Sequence, residues 1–257
     1  MENGKEYTRE QLLKALDITK HKPDITLDES EMKISIVIPL YLNREELCPV
    51  IQRCFESIPE EDVELIVVDD ASPLDTNFFR KMIEERETRW FVNSKNLGFT
   101  GTVNRGLSLA RENILLVMND DIILEPGQIS RFFDISSDGI YSPRTTNEGP
   151  GDRFSSIWGM TRRTYEKLGS LEPSLKHFFS DTEYYDRAVY LGIPIVKWND
   201  IVISHEGGKT YNTLTEKNDL YLEDQRTYNS LVSHNRSFNS LCLEDFYRFS
   251  KRMTKGM

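Results

Sequence analysis

The sequence contains few cysteines, and their arrangement would not support a disulfide framework or a metal site. The three are Cys48, Cys54 and Cys242, with no C-x-x-C pair and no neighbouring histidine cluster. An odd and scattered set predicts reduced thiols in a cytosol-like compartment. We therefore expect a cytoplasmic protein.

Long apolar runs are also missing. No stretch approaches the roughly 20 apolar residues that a helix needs to cross a bilayer. The polar start of the chain lacks the apolar core of a signal peptide, so we expect none. These features predict a soluble protein and leave peripheral membrane association open.

The chain has no excess of positive charge. Lys and Arg number 32 against 42 Asp and Glu, which gives a formal net charge of -10 over 257 residues. Affinity for a phosphate backbone rests on clustered Lys and Arg, so generic nucleic-acid binding is not expected.

Glycine-rich phosphate motifs are absent as well. The sequence contains neither G-x-G-x-x-G nor G-x-x-x-x-G-K-[ST], which excludes the usual dinucleotide and P-loop cradles. If the ligand is a diphosphate, a metal ion must neutralise its charge instead.

What the sequence does contain is an alternation of apolar strands and amphipathic helices from residue 33 onward. Strand-like apolar runs begin at Ile34, Val63, Trp90 and Asn113, and segments with a helical period separate them. This order predicts an α/β fold with a mostly parallel, Rossmann-like sheet flanked by helices. We divide the chain into an N-terminal helical extension (1–32), a central domain (33–208, with halves 33–127 and 128–208) and a C-terminal helical tail (209–257).

The second half is less regular. We predict a helix at 127–135, a long loop at 136–156, a helix beginning near Arg162, and a helix at 181–192. Two short strands are expected within 193–208.

Polar residues follow three strands of the predicted sheet, and the carboxyl ends of parallel strands form the usual ligand crevice. Asp69-Asp70 and Asn119-Asp120-Asp121 follow two strands, and Pro39 to Asn43 follow the first. Either acid pair alone is often only a turn or a helix cap. Two pairs at one edge of a sheet favour a site for a hard cation, Mg²⁺ or Mn²⁺.

These segments, in this order, resemble the family-2 glycosyltransferases with the GT-A fold. The resemblance rests on "ISIVIPLYLNREEL", "ELIVVDDASP", "NLGFTGTVNRGL", "LLVMNDDIILEPG", "FFSDTEYYDRAVYLG" and "IVISHEGG", and it spans residues 33–208. Within this family, the sequence most resembles the rhamnosyl- and galactofuranosyltransferase-like members. That closer resemblance rests on the spacing of Asn96, Gly98, Asn104 and Gly106.

The resemblance implies an inverting, metal-dependent transferase that moves a sugar from a nucleotide-diphosphate donor to an acceptor hydroxyl. It implies one catalytic base, Asp181, and a metal site at Asp121 and His205 that binds Mn²⁺ or Mg²⁺. The implied nucleotide-sugar contacts are Pro39, Tyr41, Asp70, Asn96, Gly98, Asn104 and Asp120. Asp70 suits the imide of uracil or thymine and could also accept from guanine; of these donors we favour a UDP-sugar.

Two positions depart from the family pattern. Asn119 replaces the first Asp of the D-x-D motif, and Ser180 replaces the Glu expected before the base. A shifted alignment would make Glu183 the base. Two alternatives stay open, a nucleotidylyltransferase and a non-catalytic sugar-nucleotide or glycan-binding module. The acceptor (glycan, lipid-linked sugar, protein or modified base) and the oligomeric state are not readable from the sequence.

Overall fold

The structure, a computed structural model, describes residues 34–60, 62–148, 156–206 and 217–236. The predicted N-terminal helical extension lies outside the described residues, as does the predicted boundary at residue 208. None of the described helices combines the length and apolar character needed to cross a membrane.

The first half of the domain is a parallel sheet with crossover helices, as predicted. The strands are short β-branched runs, and strand order places β1 at the centre of this half with β2 and β4 on either side. The strands are β1 (Ile34–Leu40), β2 (Val63–Asp69), β3 (Thr88–Val92) and β4 (Ile114–Met118). The helices are α1 (Cys48–Ser57), α2 (Asn77–Met82) and α3 (Gly98–Leu109).

The second half adds four strands and makes the sheet mixed. The full order is β3-β2-β1-β4-β7-β6-β8-β5, in which β7 pairs antiparallel with β4 and with β6, and β5 pairs antiparallel with β8. The strands are β5 (Ile122–Ile123), β6 (Ile140–Thr145), β7 (Ile157–Thr161) and β8 (Ile195–His205). The helices are α4 (Ser130–Phe133), α5 (Arg162–Leu168), α6 (Ser180–Tyr190) and α7 (Lys217–Arg236).

Side chains of the central strands alternate between two buried clusters, one on each face of the sheet. Along β1, Ile34, Ile36 and Ile38 pack into one cluster and Val37 into the other. A strand buried on both faces needs apolar residues at every position, which explains the continuous runs in the sequence. Trp158 is buried in the second cluster beside Tyr184, so it packs the core.

Two details of the second half differ from prediction. Residues 136–156 were expected to form a loop, but they contain β6, which lies parallel to β8. Two short strands were expected within 193–208, but a single strand of 11 residues runs through them, with a register shift opposite Pro143/Arg144. Polar and proline-containing segments form strands here because pairing with a long neighbour supplies their backbone hydrogen bonds.

At the amino edge of the sheet a buried acid is neutralised inside the protein. The Glu64 carboxylate accepts hydrogen bonds from Ser35 Oγ (2.6 Å), Arg89 Nη1 (2.9 Å) and the Arg111 backbone N–H (2.9 Å). A buried charge satisfied in this way has no need of a ligand. The carboxylates at the opposite edge are arranged differently.

Candidate active site

The candidate site lies at the carboxyl edge of the sheet, where β1, β2 and β4 end side by side. Leu40 and Asp69 are register partners, and the Asp70 backbone N–H donates to the Leu40 carbonyl at 2.8 Å. The parallel register of β4 with β1 carries residues 119–121 to the same edge. The strand ends therefore converge as the sequence predicts.

Strand pairing brings Asp121 and His205 together across a sequence separation of 84 residues. Ile122 is the register partner of His205, and the Glu206 backbone N–H donates to the Asp121 carbonyl at 3.0 Å. The His205 Nε2 and Asp121 Oδ1 atoms lie 3.2 Å apart. On its other side, His205 Nδ1 lies 3.2 Å from the Ser156 hydroxyl oxygen. The imidazole thus lies between a hydroxyl and a carboxylate, and its Nε2 atom and Asp121 Oδ1 are buried without forming a hydrogen bond to each other.

Asp120 is the second carboxylate at this tip. The residue is 7% exposed, and Asp121 is 4% exposed. Burial, followed by the neighbouring Asp121 charge, raises the pKa of Asp120 to about 8, although the Tyr41 backbone N–H favours its ionised form. The Asp121 charge therefore opposes ionisation of Asp120, and a cation beside the two carboxylates would relieve that repulsion.

The donor atoms present are compatible with a divalent ion. Carboxylate oxygen and imidazole nitrogen are ligands that Mn²⁺ accepts, and Asp121 with His205 offers one of each. Within the part of the chain that the structure describes, no three His, Cys, Asp or Glu side chains converge as a metal-binding group. An ion at this tip would therefore share its coordination with oxygens from a ligand or water, as Mg²⁺ and Mn²⁺ sites that bind substrate phosphates do.

In the pair Asp69-Asp70, the first acid stabilises a turn and the second binds the loop that precedes α3. The Asp69 carboxylate accepts from the Ser72 backbone N–H and the Thr76 hydroxyl, both at 2.8 Å, which is turn chemistry. Asp70 instead accepts from the Asn93 amide (2.7 Å) and from the backbone N–H groups of Leu97 (2.7 Å) and Gly98 (2.9 Å).

Asp70 therefore anchors the loop that opens α3. Burial raises the pKa of Asp70, and hydrogen bonds from the Leu97 and Gly98 backbone and from the Asn93 and Thr102 side chains partly offset that effect. The Oδ2 atom accepts from the Gly98 backbone N–H, and a carboxylate oxygen can accept two hydrogen bonds. The arrangement is compatible with a base contact, and that role stays a prediction.

The remaining predicted nucleotide contacts are mostly engaged in the fold. Asn96 is exposed, and its Oδ1 accepts from the Gly98 backbone N–H at 3.0 Å. The buried Asn104 amide makes two hydrogen bonds with the Leu171 backbone, at 2.9 and 2.8 Å. Pro39 and Tyr41 are half-buried at the end of β1. The nucleotide-binding roles of these four residues, and of Gly98, stay predictions.

Asp181 stands in the first turn of α6. It is half-buried, and one of its oxygens accepts from the Thr182 backbone N–H at 2.8 Å. Two residues earlier, Phe179 has a left-handed backbone with φ of 61°. For a residue with a side chain this conformation is unfavourable by about 1–2 kcal/mol, and such strain concentrates at functional sites.

Glu183, the alternative base, is engaged elsewhere. Both of its oxygens accept from the Arg187 guanidinium, and Arg187 also donates to the carbonyls of Leu168 and Ser170. Burial raises the pKa of Glu183, and the Arg187 pairing offsets that effect in part. Because the guanidinium occupies both oxygens, neither is readily available to a substrate hydroxyl. The geometry therefore favours Asp181 over Glu183 as the base.

Two residues of this region were not selected from the sequence. Asn93 follows β3, donates to Asp70 and accepts from Arg105, so it orients the Asp70 carboxylate. His177 lies against Gly98, and burial lowers the pKa of its imidazole, an effect that Asp224 and Asp70 oppose. The strand-end rule would have found Asn93, whereas His177 carries no local signal.

The fold and the placement of the carboxylates define a class of protein: a GT-A-type α/β domain with an acidic site at the carboxyl edge of its sheet. Comparison with known proteins agrees. The model of Glycosyl transferase family 2 matches residues 35–189, and the chain belongs to that family. This placement bears out the resemblance, and the nucleotidylyltransferase alternative is set aside.

The chain is similar to known proteins in sequence and, for solved structures, in fold. The chain is 28% identical over 109 residues to the dolichol-phosphate mannosyltransferase of Pyrococcus furiosus, covering 42% of this chain and 31% of that protein. Among solved structures it is similar to the Pyrobaculum calidifontis mannosyltransferase PcManGT in complex with GDP-Man and Mn²⁺, with a TM-score of 0.56, 17% identity, and coverage of 76% of this chain and 63% of that one.

It is also similar to residues 1–349 of S. aureus TarS, with a TM-score of 0.57, 16% identity, and coverage of 83% of this chain and 77% of that one. The chain spans between 31% and 46% of the length of the curated relatives it matches. The closer resemblance to rhamnosyl- and galactofuranosyltransferase-like members of the family stays a prediction.

Proposed function

We propose that this chain transfers a sugar from a nucleotide-diphosphate donor, with a UDP-sugar favoured, to a hydroxyl acceptor, with inversion at the anomeric carbon. The observation that carries the proposal is the meeting of Asp121 and His205 at 3.2 Å beside Asp120. In a family-2 chain, this cluster is where a donor diphosphate and a divalent ion would bind.

The roles divide between the two sides of the crevice. Asp121 and His205 would hold Mn²⁺ or Mg²⁺, and Asp120 would face hydroxyls of the donor. When bound, the ion supplies Lewis-acid stabilisation of the negative charge that develops on the diphosphate. Asp70 would accept a hydrogen bond from the base imide, as it already accepts from Leu97 and Gly98.

Asp181 would act as the general base. The acceptor hydroxyl gives its proton to the Asp181 carboxylate while its oxygen forms a bond to the anomeric carbon. The bond between that carbon and the phosphate oxygen breaks, and its electron pair leaves with the nucleoside diphosphate. Attack from the side opposite the leaving group inverts the centre and requires no covalent intermediate.

The experiment is a thermal-shift panel of UDP, GDP, dTDP and CDP, each with and without Mn²⁺. A ligand that binds only the native state raises the unfolding midpoint. A shift for one nucleotide that requires Mn²⁺ supports the proposal and identifies the donor class. No shift with any nucleotide refutes it. A shift without nucleotide release from the matching sugar donor indicates the non-catalytic binding module.

A further inference from the structure

The C-terminal helix α7 holds the segment that leads into Asp181. The Asp224 carboxylate accepts three consecutive backbone N–H groups, from Lys176 (3.0 Å), His177 (2.8 Å) and Phe178 (2.8 Å). Asp224 is only 2% exposed. A buried carboxylate that accepts three backbone hydrogen bonds fixes the direction of that backbone, because all three donors must point at one group.

Aromatic rings on the same helix face complete the contact. Tyr221 and Tyr228 lie three residues before and four residues after Asp224, so all three share one face of α7. The Tyr221 ring contacts Phe178 and Phe179 with centroid distances of 5.4 and 5.2 Å. The Tyr228 ring stacks on Phe179 at 5.4 Å, with 17° between the ring planes.

The opposite side of the segment rests on the start of α3. The Thr100 backbone N–H donates to the Lys176 carbonyl at 3.0 Å. A Cβ atom added to Gly98 would come within 2.7 Å of the same carbonyl oxygen. Residues 176–179 are therefore held between α7 and the loop that Asp70 anchors.

We propose that Asp224, supported by the Tyr228 ring, is a positioning residue for Asp181. Phe179 adopts a left-handed backbone only while its surroundings enforce it. The Asp224 carboxylate holds the three N–H groups before Phe179, and the Tyr228 ring stacks on the Phe179 side chain. Asp181 follows two residues later, so the angle at Phe179 sets where its carboxylate points. The inference rests on the proposed function, in which Asp181 is the base.

The test is Asp224→Asn, which keeps the shape of the side chain and removes its charge. Turnover is measured as nucleoside diphosphate release from UDP-, GDP- and dTDP-sugars with water as acceptor. We expect kcat to fall roughly tenfold to a hundredfold, the cost of misplacing a catalytic group by about 1 Å, with the donor KM unchanged. Amide hydrogen exchange at Lys176, His177 and Phe178 should become faster.

Glu223→Gln is the matched control. Glu223 is the neighbouring acid on α7, lies 3.6 Å from Lys176 Nζ, and is exposed, so its neutralisation should change neither kcat nor exchange. If Asp224→Asn does not fold, Tyr228→Leu against Tyr228→Phe tests the same point. The phenylalanine variant retains the stack on Phe179 and loses the hydrogen bond from the Tyr228 hydroxyl to Asp186 of α6. Loss of the whole ring should therefore lower kcat more than loss of the hydroxyl, and equal losses in the two variants would overturn the role of the ring.

The outcomes separate the two proposals. Faster exchange with an unchanged kcat overturns the positioning role, as does a change in donor KM alone. Unchanged exchange overturns the contact itself. If the unmodified protein releases no nucleotide from any donor, the proposed function fails, and the exchange measurement still decides whether Asp224 orders the segment.

Discussion

Replacing Gly98 by alanine tests whether the loop anchored by Asp70 and the segment leading to Asp181 approach as closely as the structure shows. Gly98 has φ of +75°, and an added Cβ would lie 2.7 Å from the Lys176 carbonyl oxygen and 3.1 Å from His177 Nε2. The first neighbour is backbone, so it cannot rotate away as a flexible side chain would.

The magnitude follows from two separate effects. A left-handed alanine is unfavourable by about 1–2 kcal/mol relative to glycine. Insertion of a methyl group against a packed backbone carbonyl destabilises by about a further 1–3 kcal/mol. We expect a loss of about 2–5 kcal/mol, and each kcal/mol lowers the unfolding midpoint by about 2–4 °C in a domain of this size.

Gly127→Ala provides the control, because Gly127 has φ of +83° and nothing lies within 4 Å of its added Cβ. The two variants share the backbone penalty and differ in the contact. Thermal unfolding of both should show a larger loss for Gly98→Ala, and nucleotide release should fall in that variant only. Equal losses in the two proteins would refute the close approach of Gly98 to Lys176.

Two further predictions concern the proposed chemistry. Asp181→Asn should abolish transfer and leave the nucleotide-dependent thermal shift intact. Glu183→Gln should retain turnover, and it should lower the unfolding midpoint because Glu183 pairs with Arg187. Loss of turnover in Glu183→Gln but not in Asp181→Asn would make Glu183 the base. Asp121→Ala should remove the Mn²⁺ dependence of the thermal shift, since it deletes the oxygen 3.2 Å from His205 Nε2; a shift that still requires Mn²⁺ would place the ion elsewhere.

The parts of the fold that could be predicted are those whose hydrophobic pattern is visible within a short stretch of sequence. β1, β2 and β4 are buried on both faces, so their apolar runs stand out in the sequence, and their carboxyl ends had to meet at one edge. β6 could not be predicted this way. Its sequence, "IYSPRT", is polar and contains proline, and its strand character comes from pairing with β8 about 55 residues away.

The candidate site likewise contains some residues that the sequence could identify and others that it could not. Asp70, Asp121 and Asp181 follow strands or open helices, so local patterns and a family resemblance located them. Asp224 did not stand out because an acid between tyrosines on a helix is typical of an exposed face. Its role depends on contacts with residues 176–178, which lie 46 to 48 positions earlier in the chain.

The two acids of each doubled pair have different partners. Asp120 and Asp121 are the central residues of a turn, which the Ile122 N–H closes onto the Asn119 carbonyl at 3.3 Å, so their side chains face different neighbours. In the first pair Asp69 closes the turn to Ser72 and Asp70 anchors the α3 loop. In the second pair Asp120 faces the Tyr41 backbone and Asp121 faces His205. Because the two acids of a pair have different partners, the same two letters are consistent both with turn chemistry and with a candidate site.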